Sequence, residues 1–194
     1  MADIVAIYGS PRREGNTASL LSRAVMGARE EGRTVREFVL RDLRISPCQE
    51  IYACKKDGEC AIRDDYQEVR DEIKASSGVM LASPIFFYSV SAHTKIFMDR
   101  FQSNWVKKYL IDGTPFGDWT AKRKALFISA GATRGKKLFD GTLLTVKYFL
   151  DTIDSELWRT LLCRGLDEPG DVQEHPERLQ QAYNDGAGLA RDIG

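Results

Sequence analysis

Apolar residues fill consecutive positions in Ile4-Val5-Ala6-Ile7-Tyr8 and stop at Gly9, which predicts a short strand covered on both faces, as in a parallel sheet. Beyond it the period changes. Leu20, Leu21, Ala24, Val25 and Ala28 recur at helical spacing on one face, and Glu30-Glu31-Gly32 ends the helix with a glycine suited to a C-terminal cap. Val35 to Leu40 reads as a second strand, Tyr66 to Ser76 as a helix, and Val79-Met80-Leu81-Ala82 as a third strand. Asp65 is expected to cap that middle helix while Glu68 reaches back, the capping-box pattern. After Pro84 and the loop to Ser91 comes a helix carrying Ile96, Phe97 and Phe101, then Ala125 to Ser129 as a fourth strand. A helix within Thr142 to Thr152, a last strand near Leu157 to Cys163 and a terminal helix begun by Pro176 complete the series.

Regular strand–helix alternation with right-handed crossovers builds an α/β doubly wound parallel sheet. Five such units predict the flavodoxin-like strand order 2-1-3-4-5, in a single domain spanning residues 1–194. The chain shows no internal repeat and no low-complexity linker. The stretch 104–120, with Trp105, Tyr109, Phe116 and Trp119, is long and aromatic for a loop. It reads equally well as a lid, a subunit contact or a loop folded over its own small core.

Composition narrows the class. Hydrophobic residues make up 43% and charged residues 29%, near the globular average, which argues against disorder and against a membrane protein. Lysine plus arginine and aspartate plus glutamate both number 28, so no dominant nucleic-acid footprint is expected, and the run Lys122-Arg123-Lys124 reads as solvated surface. Met1-Ala2-Asp3 leads straight into the first strand without a basic leader, which sets the expectation of a cytoplasmic protein. Four cysteines, three grouped at Cys48, Cys54 and Cys60, do not resemble a secreted disulfide framework. Cys163 is expected to be a buried structural thiol, and His93 and His175 have no metal-ligand spacing.

Ligands of a doubly wound sheet gather at the carboxyl ends of its strands, and three loops there are unusual. The first, Gly9-Ser10-Pro11-Arg12-Arg13-Glu14-Gly15-Asn16-Thr17, opens directly into a helix. Ser10, Arg12, Asn16 and Thr17, with free N–H groups at a helix N-terminus, suit a phosphate dianion. Neither the P-loop spacing nor the Gly-x-Gly-x-x-Gly turn is present. The second loop, Pro84-Ile85-Phe86-Phe87-Tyr88-Ser89, is aromatic where a solvent-facing loop should be polar, and suits a flat ring. The third, Ser129-Ala130-Gly131-Ala132-Thr133-Arg134-Gly135, offers small residues at Ala130 and Gly131 that let the backbone approach a ligand closely.

Gly9-Ser10-Pro11-Arg12, Gly15-Asn16-Thr17, Ser83 to Ser91, Lys95 and Asp99-Arg100-Phe101 occur in an order that resembles the NAD(P)H-dependent FMN reductase and iron–sulfur flavoprotein group of the flavodoxin superfamily. The resemblance runs from Ile4 to about Asp151. It implies FMN with its phosphate at Ser10, Arg12, Asn16 and Thr17 and its ring against Pro84 to Ser89. It implies a homodimer or homotetramer with the flavin near a subunit interface, where Asp99 and Arg100 serve assembly as much as chemistry. The implied activity is electron transfer from NAD(P)H through flavin to a small acceptor such as a quinone or free flavin. The alternative is an FMN-binding electron carrier with protein redox partners, which the zero net charge mildly disfavours. A phosphorylatable receiver domain is excluded, because Gly9-Ser10 stands where paired acidic residues would be needed.

The cysteine segment departs from the iron–sulfur members of that group. Cys48, Cys54, Cys60 and Asp64-Asp65 match their pattern, but Ile51 occupies the second cysteine position. A cubane takes four thiolates, so these cysteines are weak candidates for a three-iron cluster, for a cluster with an outside ligand, or for none. The expectation is against a cluster.

Overall fold

The computed structural model describes residues 2–116 and 123–193; Trp119 and Lys122, on which two of the readings above partly rest, lie outside the described residues. Strands β1 (Ile4–Tyr8), β2 (Val35–Val39), β3 (Gly78–Pro84), β4 (Arg123–Gly131) and β5 (Ser155–Arg164) pair in parallel in the order β2-β1-β3-β4-β5. This is the doubly wound flavodoxin-like order expected from the alternation. The helices are α1 (Asn16–Glu30), α2 (Cys54–Asp57), α3 (Tyr66–Ala75), α4 (Ala92–Arg100), α5 (Gln102–Trp105), α6 (Asp140–Thr152) and α7 (Pro176–Asp192). Among the described residues no helix is long and apolar enough to cross a membrane.

Alternate residues of each strand point to opposite faces, and that period sorts the core into two layers. Ile4, Ala6 and Tyr8 of β1 meet Leu20, Leu21 and Ala24 of α1 and Ala182 and Leu189 of α7. Val5 and Ile7 meet Val69 and Ile73 of α3, Phe97 of α4 and Val146 and Phe149 of α6. Each fully buried large apolar side chain contributes about 1.5–3 kcal/mol. Helices α1 and α7 touch at backbone distance: a Cβ on Gly186 would stand 1.9 Å from the Ala24 carbonyl oxygen, so only glycine fits there.

Two local expectations are corrected. The capping box at α3 does not form, because Asp65 is itself in the helical region and its carboxylate accepts from the Arg44 N–H at 2.7 Å. Asp64 Oδ1 instead accepts from the Tyr66 N–H at 3.1 Å, and Glu68 pairs with Arg36 at 2.8 Å. Arg123 is not solvated surface; its guanidinium donates to the carbonyls of Ser76 at 3.0 Å and Ile153 at 2.9 Å, tying β4 to its neighbours. The described part of the aromatic stretch forms α5 and a π-helical turn, Val106–Ile111. There Tyr109 stacks on Phe116 at 4.7 Å and Trp105 packs against both, which is a loop folded over its own small core. The glycine cap on α1 does form: Gly32 takes φ +82°, and the N–H groups of Gly32 and Arg33 close on the carbonyls of Arg29 and Ala28.

Candidate functional site

The loops after β1, β3 and β4 meet in a crevice of about 160 Å³ lined by Ser10, Arg12, Asn16, Thr17, Pro84, Ile85, Phe86, Ala130 and Gly131. Buried hydrogen bonds fix the loops to one another. Ser91 Oγ donates to the Gly9 carbonyl, Ser129 Oγ to the Ser83 carbonyl at 2.7 Å, and the Ile85 N–H to the Ala130 carbonyl at 2.9 Å.

The first loop delivers the N-terminus of α1 to this crevice. Gly15 is extended at the N-cap position, and no side chain caps the helix among the described residues. The first intrahelical bond runs from Ser19 to Gly15, which leaves the N–H groups of Asn16, Thr17 and Ala18 as the orphan donors of the first turn. Orphan donors and the helix dipole together favour an anion. Ser10, Asn16 and Thr17 are buried at this end while Arg12 is exposed. Arg12 Nη1 donates to the Asp167 carbonyl at 3.1 Å. Asn16 carries a load its sequence position does not reveal: Nδ2 donates to the Glu168 carbonyl at 2.9 Å and Oδ1 accepts from the Val172 N–H at 3.1 Å. Its side chain therefore clamps the loop after β5. Leu166 and Asp167 of that loop line the crevice and were missed in the sequence, although the turn-forming run Asp167-Glu168-Pro169-Gly170 at a strand end is a usable signal.

In the second loop, Phe86 and Ser89 exchange N–H···O bonds of 3.0 Å around a two-residue turn, and Phe87 and Tyr88 take φ of 50° and 61°. Positive φ at both central positions is the type I′ signature, normally filled by Asn and Gly. For bulky residues it costs roughly 1–2 kcal/mol each. The turn is pinned from α6, where Thr142 Oγ1 donates to the Tyr88 carbonyl at 3.1 Å. Phe87 is 99% exposed, Tyr88 56% and Phe86 48%. Thus Phe87, Tyr88 and Ser89 stand beside the crevice rather than in its wall.

A second cavity, of about 460 Å³, is lined by Cys48, Cys54 and Cys60 together with Asp99 and Gln102. Two of its lining residues, Cys60 and Ile62, are hydrogen-bonded by Arg100, whose side chain has no exposure. Arg100 Nη1 donates to Asp64 Oδ2 at 2.6 Å and the Ser46 carbonyl at 3.0 Å, and Nη2 donates to the Ile62 carbonyl at 2.9 Å and to Cys60 Sγ at 3.4 Å. Its plane lies over the Tyr66 ring at 4.6 Å. The Arg100 side chain is thus turned into its own subunit, with Nε the one nitrogen of its guanidinium that has no hydrogen-bond partner among the described residues. Burial would raise the Asp64 carboxyl, but the Arg100 hydrogen bond and the N–H groups of Ser46 and Tyr66 more than offset it and hold it below its ordinary value. Burial pushes the Cys54 thiol up, helped by the nearby sulfurs of Cys60 and Cys48. Cys163 is buried within the core, and burial raises it against an opposing hydrogen bond from Arg178.

The model of the family described as NADPH-dependent FMN reductase matches residues 2–154. An iron–sulfur flavoprotein of Methanocaldococcus jannaschii is 40% identical over 97 residues, covering 50% of each chain. An iron–sulfur flavoprotein of Archaeoglobus fulgidus is 40% identical over 97 residues, covering 50% of this chain and 49% of the relative. The match thus spans about half the length of these curated relatives. Among solved structures, an NAD(P)H:quinone oxidoreductase from Methanothermobacter marburgensis superposes with TM-score 0.70 at 18% identity, covering 97% of this chain and 96% of that one, which shows the shared fold.

Proposed function

Because the chain belongs to the NADPH-dependent FMN reductase family, we propose that it holds FMN in the crevice of the β1, β3 and β4 loops and passes electrons from NAD(P)H to a small acceptor such as a quinone or free flavin. The observation that carries this reading is the uncapped N-terminus of α1 opening onto the same crevice as the Pro84 to Ser89 loop. FMN supplies the two-electron chemistry when bound, and the protein supplies binding, orientation and exclusion of water. Ser10, Thr17, the N–H groups of the first turn of α1 and Arg12 would hold the phosphate. Asn16 would keep the β5 loop in place behind it. Pro84, Ile85 and Phe86 would form one wall for the ring, and the small residues Ala130 and Gly131 the other. No side-chain acid or base is required of this site, since its work is to fix a redox cofactor.

The crevice is smaller than the roughly 300–1,000 Å³ usual for a cofactor-sized ligand. Part of the ring would therefore extend along the exposed Phe86-Phe87-Tyr88 turn, an apolar surface that calls for a cover. A second copy of the chain supplies one, in a homodimer or homotetramer of a cytoplasmic protein.

The curated relatives carry an iron–sulfur cluster in their name, and the residues here do not fit a four-thiolate cluster. Three cysteines surround the second cavity, Ile51 stands in its lining, and no group of three or more His, Cys, Asp or Glu among the described residues is arranged to hold a metal ion.

The test is steady-state oxidation of NADPH or NADH by FMN-loaded protein with a soluble quinone as acceptor. Turnover that disappears on flavin removal and returns with FMN, but not with riboflavin, is the expected result. Equal turnover with and without bound flavin would refute the reading.

A further inference from the structure

Three thiols face one cavity without the donor set of a four-iron cluster, and one of them is held by a buried cation. We propose that this cavity is a thiol–disulfide exchange site in which Cys60 attacks a low-molecular-weight disulfide and Cys54 resolves the resulting mixed disulfide. The chemistry lies outside the flavin crevice and stands or falls independently of it.

Cys60 is singled out by Arg100. The Arg100 guanidinium donates to its sulfur and fixes its direction, and Cys60 is only half-buried at the cavity wall, where a disulfide can reach it. Arg100 cannot swing away, because its other donors close on Asp64 and on the carbonyls of Ser46 and Ile62. The partner is selected by the chain path. Gly58, at φ +80°, reverses the chain after α2, and its N–H closes on the Cys54 carbonyl at 2.7 Å. Cys54 and Cys60, on either side of this turn, line the same cavity. A Cβ on Gly58 would meet the Lys107 side chain at 2.6 Å, so the turn is also seated against the π-helical segment. The loop closed by a Cys54–Cys60 bond is half the length of one closed from Cys48, which lowers its closure cost.

The electron count closes. The Cys60 thiolate attacks one sulfur of R–S–S–R, the bond to Cys60 forms, the R–S–S–R bond breaks, and R–S⁻ departs to take a proton from water. Cys54 releases its proton to solvent and attacks the Cys60 sulfur; the Cys54–Cys60 bond forms and the second R–S⁻ leaves. Two protein thiols are oxidised by two electrons, and one disulfide is reduced to two thiols.

The experiment incubates the FMN-loaded protein with oxidised glutathione under anaerobic conditions and follows thiol content and peptide masses. The expected result is loss of two thiols per chain with a Cys54–Cys60 linkage. Cys60→Ser should abolish the reaction, and Cys54→Ser should stop it with one glutathionyl group on Cys60. Arg100→Lys should slow it severalfold, with retained flavin absorbance and circular dichroism showing that each variant folds. A Cys48–Cys60 linkage, a Cys60→Ser variant that reacts at the wild-type rate, or purified protein carrying iron and sulfide with unreactive thiols would each overturn the proposal.

Discussion

Arg12 Nη1 donates to the carbonyl of Asp167 at 3.1 Å, so the loop after β1 is tied across the mouth of the crevice to the loop after β5. The bond occupies one donor of an exposed guanidinium, and a phosphate at the α1 N-terminus would compete for the same side chain. Arg12→Ala is therefore expected to weaken FMN by about 1.5–3 kcal/mol, the range for a hydrogen bond to a charged group, while leaving riboflavin affinity nearly unchanged. Fluorescence quenching titrations with both flavins measure the difference, and equal losses for the two would remove Arg12 from the phosphate.

Asn16 separates stability from binding. Asn16→Leu leaves the buried Val172 N–H without its acceptor and should cost about 1–3 kcal/mol in denaturant unfolding. Asn16→Asp keeps an acceptor for Val172 but loses the donor to Glu168 and places a carboxylate at the anion site. Its FMN affinity should fall more than its stability.

Arg100 and Asp64 set a pH dependence. Asp64 titrates below its ordinary value in the folded chain, so the pair's contribution is present above the unfolded carboxyl value near 3.8. It is lost as the pH falls further, through the folded value. Wild-type stability should decline more steeply below about pH 4 than that of Asp64→Asn. Arg100→Ala, which strands a nearly buried carboxylate, should cost about 3–5 kcal/mol at neutral pH. Parallel acid-unfolding curves for wild type and Asp64→Asn would contradict this account.

Much of the fold was legible because its signals are local. The two-faced apolar run of β1 and the one-faced period of α1 each repeat within a few residues, and the structure buries them as that period requires. What was not legible is long-range. Asp65 resembles a helix cap, yet its carboxylate serves the Arg44 N–H, and Asp64 takes the Ser46 N–H as well as that of Tyr66 at the head of α3, the first two some twenty residues away in the chain. Arg100 lies in a motif whose role could not be read, since its partners come from the cysteine loop. The clamp made by Asn16 reaches the other end of the chain, and no window of sequence shows it.

The exposed turn yields a prediction of opposite signs. Phe87→Gly relieves a left-handed backbone position worth about 1–2 kcal/mol, offset by about 0.5–1 kcal/mol of glycine's added freedom in the unfolded chain. Monomer stability should therefore hold or rise by up to about 1 kcal/mol despite loss of an aromatic ring. Self-association, followed by sedimentation, should weaken because Phe87 is part of the surface that a second copy would cover. A destabilised variant that associates as wild type would contradict both halves.

The most direct test of the central claim is anaerobic stopped-flow absorbance of the FMN-loaded protein mixed with NADPH or NADH. The account predicts that one of the two bleaches the bound flavin on a catalytic timescale and that a quinone or free flavin restores the absorbance through repeated cycles. Bleaching by dithionite but by neither nucleotide, at saturating concentration and over minutes, would contradict it and identify the chain as an electron carrier that depends on a protein partner.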